Sequence, residues 1–383
     1  MEIRPKFIPK KPKSSPPLSI NDLLKMQNVV NQKKPPDALH SLISTNSFSL
    51  VGANRDFKLE TIAKKYDIGK EAAAWSLGGK HNIVRGLVGK EAGRIARAEV
   101  RKTKGAGGHA KASRPEWSDI IYHPRTSVGV VRPSLRSLKG KVIKPHYVFG
   151  NDDRQPFHPS GYPWQCIGRV FAWTDPSNPN WAWSGSAALV THNTILTAGH
   201  VAPWGSNPWM VLFVPAYFNG SSTLGPSVYS YVESYWGYDT NDTVSAWDYC
   251  VMKLYDALGD SLGWFGSKTY DDGWNDGNYW TLVGYPGAIA NAEQPSWQGG
   301  ISFHDDDEDG DAMELETNNG DSSPGDSGGP IFAWWADGWP YIVGEVSGQE
   351  EEYQFPFSSE DNNIVAGGSP MVDLILWAIN NWP

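Results

Sequence analysis

The chain has 383 residues, 40% of them hydrophobic and 13% aromatic, which supplies a large buried core and excludes a protein disordered throughout. Its mean hydropathy is −0.44, and no apolar run approaches the roughly 18 residues that a membrane-crossing helix needs, so the sequence predicts a soluble protein. The net charge of −9 hides a division: residues 1 to 146 carry 29 Lys and Arg against 11 Asp and Glu, while the rest carries 4 against 31.

In chain order, the opening MEIRPKFIPKKPKSSPPLSI has positive charges but no apolar stretch behind them, so no ordinary cleavable signal peptide is expected. The location expected is extracellular, reached by a non-standard route, with the cytoplasm as the alternative. Residues 1 to 50 read as extended, solvated and disordered. From Asp56 to Lys104 good helix formers give a weak helical pattern, with Val84, Leu87, Val88 and Ile95 on one face and Gly79, Gly86, Gly89 and Gly93 working against it. KTKGAGGHAKASRP is a flexible basic linker.

After Tyr147 tryptophan becomes dense and Lys and Arg nearly vanish, which sets a boundary between a basic region, 1 to 146, and a second region, 147 to 383. CIGRVFAW, WSGSAALVT, TILTA, WMVLFVPAYF, DYCVMKLY, YWTLVGYP, MELET, PIFAWW and YIVGEVSG alternate with turn clusters and predict an all-β body. MVDLILWAINNW places Met371, Leu374, Ile375 and Ala378 at helical spacing and predicts a C-terminal helix packed on that body. Cys166 and Cys250 fit buried thiols better than a bridge, because Cys250 lies in the apolar run YCVMKL.

GDSGGP at 325 to 330 has the chemistry of a nucleophile turn. A reactive serine needs a tight turn that exposes its hydroxyl while backbone N–H groups converge on a developing oxyanion; Gly325 and Ser327 would supply those donors. Upstream, ALVTHNTILTAGHV sets His200 after a β-type run, where its imidazole can take the Ser327 proton. AWDYCVMKL sets Asp248 directly before an apolar strand, where a buried carboxylate would orient His200; Asp239 and Asp242, in the polar stretch GYDTNDT, are its rivals. His192 lacks comparable context.

These segments, in the order His, Asp, Ser, resemble the trypsin-like serine peptidases, and within them the V8/glutamyl endopeptidase group. NDDRQPFHPSGYPWQCIGRV resembles the start of the mature enzymes, and VGYPG the strand before their nucleophile loop. The likeness covers residues 147 to 383. It implies two six-stranded antiparallel β-barrels with the substrate cleft between them, endopeptidase activity through an acyl-enzyme with no required cofactor, and a precursor processed near Tyr147.

At the substrate pocket the likeness divides. Glutamyl endopeptidases carry a histidine where this chain has Val346, next to Ser347, although Ser322 matches their pocket hydroxyl. Asp321 stands at the spacing of the acid that pairs with Lys or Arg in trypsin; the other reading is a turn aspartate. The acidic surface and the vulnerable run EEEY tilt the expected P1 preference to Lys or Arg over Glu. Asp326, turned inward, needs a cationic partner, and Arg154 or a freed α-amino group would serve.

Asp305, Asp307, Asp309 and Glu316, with Asp311 beside Gly310, fit a calcium-loop pattern without flanking helices; a solvated acidic loop is the alternative. The basic first region is expected to cover the acidic body as a pro-segment. No nucleic-acid-binding motif supports the competing reading of an anionic-surface module. A trypsin-like domain kept only for binding is the second functional class, set against protein or peptide substrates for an enzyme.

Overall fold

The computed structural model describes residues 14–31, 33, 74–76, 82–84, 89–95, 109–124, 147–176, 181–225, 228–238, 245–354 and 358–383. Four short strands precede the body: β1 (Ala74–Ser76), β2 (Asn82–Val84), β3 (Glu91–Ile95) and β4 (His109–Ala110). Within the body lie β5 (Gln155–Pro156), β6 (Ile167–Trp173), β7 (Trp183–Leu189), β8 (Thr194–Ala198), β9 (Met210–Pro215), β10 (Tyr217–Phe218), β11 (Ser221–Ser222), β12 (Ser230–Tyr238) and β13 (Tyr249–Leu254). They are followed by β14 (Gly266–Lys268), β15 (Trp280–Gly284), β16 (Ser296–Ile301), β17 (Asp305–Asp309), β18 (Ala312–Thr317), β19 (Pro330–Trp334), β20 (Pro340–Gln354) and β21 (Ser358–Gly368).

Strands β6 to β9 with β12 and β13 form one sheet in the order β13-β8-β7-β6-β9-β12, and the pairing of β12 with β13 closes it into a six-stranded antiparallel barrel. Closure pairs the two end strands of the sheet with each other and leaves one edge, Ser234–Tyr238 of β12, which β3 takes. A second sheet runs β17-β18-β21-β20-β19-β15-β16-β5, with β14 and β4 joined at β20. The body is thus mostly β, one closed barrel with a second sheet and a C-terminal helix, an arrangement consistent with a trypsin-like two-barrel fold. Where two closed barrels were expected, the pairings close only the first, since β16 gives its outer edge to β5.

All nine predicted strand segments are strands. β17 and β21 escaped prediction because DDDED and SSEDNNIVAGG carry too many acids and amides for ordinary strand composition. The buried side chains form three clusters, in which Trp164 with Phe332, Phe171 and Trp280 respectively are fully buried, each side chain contributing about 2–3 kcal/mol of apolar transfer. The C-terminal helix spans Ser369–Asn381 and buries Met371, Leu374, Ile375 and Ala378 completely, as their spacing requires. Cys166 and Cys250 are buried, unpaired thiols, and burial pushes both up.

Of the described parts of residues 14 to 124, Ser14–Asn31, β3, β4 and residues 109–124 contact this body, while β1 and β2 pair with each other as a separate two-stranded sheet. Leu18 donates its N–H to the Trp334 carbonyl, Leu23 is buried, and the Trp164 indole donates to the Ile121 carbonyl. So Ser14–Asn31, expected to be solvated, packs instead, with one helical turn at Ile20–Leu23 capped by Ser19 and Asp22. Where the stretch expected to be helical is described, it forms strands. β3 adds in parallel to β12, and a Cβ at Gly89 or Gly93 would fall into the rings of Trp209 or Trp236. The glycines that weaken a helix are those that permit this approach. Val84 lies on β2 and Ile95 on β3; Leu87 and Val88 lie outside the described residues. No helix among the described residues is long and apolar enough to cross a membrane.

Candidate active site

His200 stands on a single 3-10 turn, Gly199–Val201, that follows β8 without a break. β8 pairs with β13, so the residue just before β13, Asp248, faces that turn. Asp248 is completely buried, and three donors converge on its carboxylate. The His200 backbone N–H reaches Oδ1 at 2.9 Å, His200 Nδ1 reaches Oδ2 at 2.7 Å, and the Ser347 hydroxyl donates to Oδ2 at 2.5 Å. Because a carboxylate only accepts, this contact requires a proton on Nδ1, so in the neutral imidazole it is Nε2 that carries the lone pair. Asp239 and Asp242, the rival acids, lie outside the described residues.

Ser327 lies in the turn before β19. Gly325 has φ +109° and Gly328 φ +79°, values that favour glycine. Space enforces the same choice: a Cβ on Gly325 would sit 2.4 Å from the Tyr285 carbonyl, and one on Gly328 2.1 Å from Thr197 Oγ1. The turn is tied to the first barrel, because Ser186 donates its N–H to the Ser327 carbonyl and its hydroxyl to the Gly325 carbonyl. Gly185 then brings the two halves together, as a Cβ there would meet Val201 at 2.9 Å and the Ser327 carbonyl at 3.0 Å. Within the turn the N–H groups of Asp326 and Gly328 are spent on the carbonyls of Ser323 and Val346, while those of Gly325 and Ser327 donate to no described residue.

Asp326 turns inward onto Arg154, one of the two partners weighed from the sequence. Both side chains are fully buried at 2.7 Å, and Arg154 also holds Ser323 Oγ and the Asp152 carboxylate. Burial pushes Asp326 up to about 6, against the downward pull of Arg154 and the Ser323 N–H. Arg154 itself is held above its ordinary value by Asp152 and Asp326, which outweigh its own burial.

The pocket candidates are engaged as follows. Asp321 is 1% exposed, and its two oxygens accept the N–H groups of Phe149 and Asp153 at 2.8 and 2.7 Å; burial raises it. Ser322 is buried and gives its N–H to the Tyr147 carbonyl. Tyr147 in turn donates its N–H to Asn363 Oδ1 at 3.1 Å. Val346 is buried in β20, and Ser347 faces Asp248, a position the sequence offered to the substrate.

The acidic run is a β-hairpin, β17 against β18, in which Asp305 pairs with Glu316 and Gly310 turns with φ +75°. Asp309 accepts from the Trp247 indole, and Glu316 from Asn362. Among the described residues no three His, Cys, Asp or Glu side chains converge to hold a metal; the side chains of Asp305 and Asp307 lie outside them.

No protein-family model matches the chain, and no curated protein matches it in sequence. Among solved structures it is similar to a Glu endopeptidase in complex with MPD, at 17% identity and a TM-score of 0.46, over 61% of this chain and all of that one. A likeness that weak carries nothing about activity.

Sequence reasoning missed the Asp321 clamp, the Ser347 contact and a buried acid, Glu345. The donors that hold Asp321 and the carboxylate that Ser347 reaches come from segments distant in sequence, and Glu345 is buried by its neighbours in the sheet. A run of acid and hydroxyl in GEVSG was the only local signal.

Proposed function

We propose that the chain is a serine endopeptidase in which Ser327 is the nucleophile, His200 its general base and Asp248 the residue that fixes the histidine tautomer. The observation that carries this reading is the convergence of three donors on buried Asp248, which fixes a His200 proton on Nδ1, while Val201, the next residue, and the Ser327 carbonyl both close on Gly185. The Ser327 hydroxyl would attack the scissile carbonyl as its proton passes to His200 Nε2. The carbonyl oxygen would become an oxyanion held by the N–H groups of Gly325 and Ser327. His200 would then protonate the leaving amine, and water would release the acyl-enzyme by the reverse sequence.

For the P1 residue the reading keeps Lys or Arg ahead of Glu, supported by the 31 acids against 4 cations in residues 147 to 383, whose field draws in cationic substrates. Asp321 gives this preference little direct support, since a substrate cation would compete with the N–H groups of Phe149 and Asp153. Processing before Tyr147 would turn its N–H into an ammonium facing Asn363 Oδ1. The packing of Ser14–Asn31 and of β3 and β4 favours a pro-segment that covers the body.

The test is digestion of a peptide library by the processed chain and by Ser327→Ala. Cuts that vanish in the variant support the reading, and their P1 residues decide Lys and Arg against Glu. A folded, processed chain that cuts nothing would sink it.

A further inference from the structure

Glu345 is a buried acid that the mechanism above does not use. It lies on β20, in register with Pro330 of β19 on one side and Ala366 of β21 on the other, two residues before Ser347. Its exposure is 0%, and among the described residues neither carboxyl oxygen has a hydrogen-bond partner. The one N–H directed its way is that of Gly328, whose hydrogen bond goes to the Val346 carbonyl at 2.9 Å. A carboxylate left in such a place lacks the donors that make a buried charge tolerable, and the neutral carboxylic acid costs far less to keep there.

The surrounding charges point the same way. Asp248 faces Glu345 from the first barrel, and His200 lies one hydrogen bond beyond it. Cys250, on the same strand as Tyr249, is also within its field and is a buried neutral thiol. Pro330, Ala366 and Gly328, packed around it, carry no charge, and Arg154, the buried cation of the nucleophile turn, is spent on Asp326 and Asp152. Burial, the field of Asp248 second, pushes Glu345 well above the usual carboxylate range.

We propose that Glu345 is a positioning residue of the catalytic site, a carboxylic acid that keeps its proton so that no second negative charge stands behind Asp248, and whose ionisation disarms the site. Ionised, it would stabilise the imidazolium of His200 through Asp248, and it would place an unpaired charge under the turn that holds Ser327. The proposal rests on the reading of Ser327 as nucleophile for its kinetic part only.

The test compares kcat/KM against pH for the wild-type chain and Glu345→Gln, each scaled to its own maximum, with thermal melts of Ser327→Ala and Ser327→Ala/Glu345→Gln over the same range. A group held above its unfolded value loses its contribution to stability as pH rises from about 4.5 toward the folded value. The melting temperature of Ser327→Ala should therefore fall more steeply over that window than that of the double variant. In the kinetics the alkaline limb should extend by about one pH unit or more in the glutamine variant, while the acidic limbs superimpose. An acidic limb that moves down in the variant, coincident alkaline limbs, or parallel melting curves would each overturn the proposal. Absence of activity in both enzymes would count against Ser327 as nucleophile, with the melts still deciding the proton on Glu345. If glutamine prevents folding, Glu345→Met carries the same melts.

Discussion

The first barrel and the turn that holds Ser327 keep their buried acids by different means. In the first barrel, Asp248 has three donors, two of them from His200 and one from Ser347. Beneath the turn that holds Ser327, Asp326 has a guanidinium, while Glu345 has no hydrogen-bond partner among the described residues. The barrel side is built to hold one geometry of one imidazole, which a network of directed hydrogen bonds does well. The turn side is built to hold a backbone shape, which a buried ion pair can anchor at considerable desolvation cost.

The largest effect expected from breaking this contrast falls on catalysis. Asp248→Asn should lower kcat by about 10⁴-fold, because the amide lets the imidazole take the wrong tautomer, while the melting temperature moves little. Peptide hydrolysis alongside calorimetry separates the two. A comparable loss of folding would mean that Asp248 is chiefly a structural acid.

Next comes the ion pair. Arg154→Met should cost about 3–5 kcal/mol, since it leaves Asp326 buried and unpaired, and Asp326→Asn in the same chain should restore part of it. Chemical denaturation of the single and double variants measures both.

How much of this was legible in the sequence depends on the range of each constraint. Ser327, His200 and Asp248 could be picked out because local turn chemistry and a following apolar strand mark them. Arg154 could be named as one of two partners because an Asp326 turned inward, as the resemblance implies, needs a cation. Asp321 looked equally like a pocket acid and a turn acid, and the N–H groups that occupy it come from Phe149 and Asp153, which no local pattern links to it. Glu345, Val346 and Ser347 are buried in succession because β20 is covered on both faces from Tyr341 to Gly348, so the period-2 pattern of a half-exposed strand does not mark them. The parallel addition of β3 was hidden because its glycines weaken every local pattern.

The smallest effect sharpens the contrast by pH. With Asp326 held at about 6, above its ordinary 3.8, the folded chain keeps that proton longer than the unfolded one. Its contribution to stability then falls as pH rises from about 4 to about 6 and is level above that. Asp326→Asn should flatten this part of a melting-temperature curve taken on the Ser327→Ala chain; an unchanged curve would assign the slope to other groups.

The central claim is that Ser327 is an activated nucleophile, and reaction with a fluorophosphonate, followed by mass mapping of the modified residue, tests it most directly. The account predicts a single adduct on Ser327, formed at a rate that collapses in His200→Ala. A folded chain that takes up no reagent, or takes it up elsewhere, would contradict it.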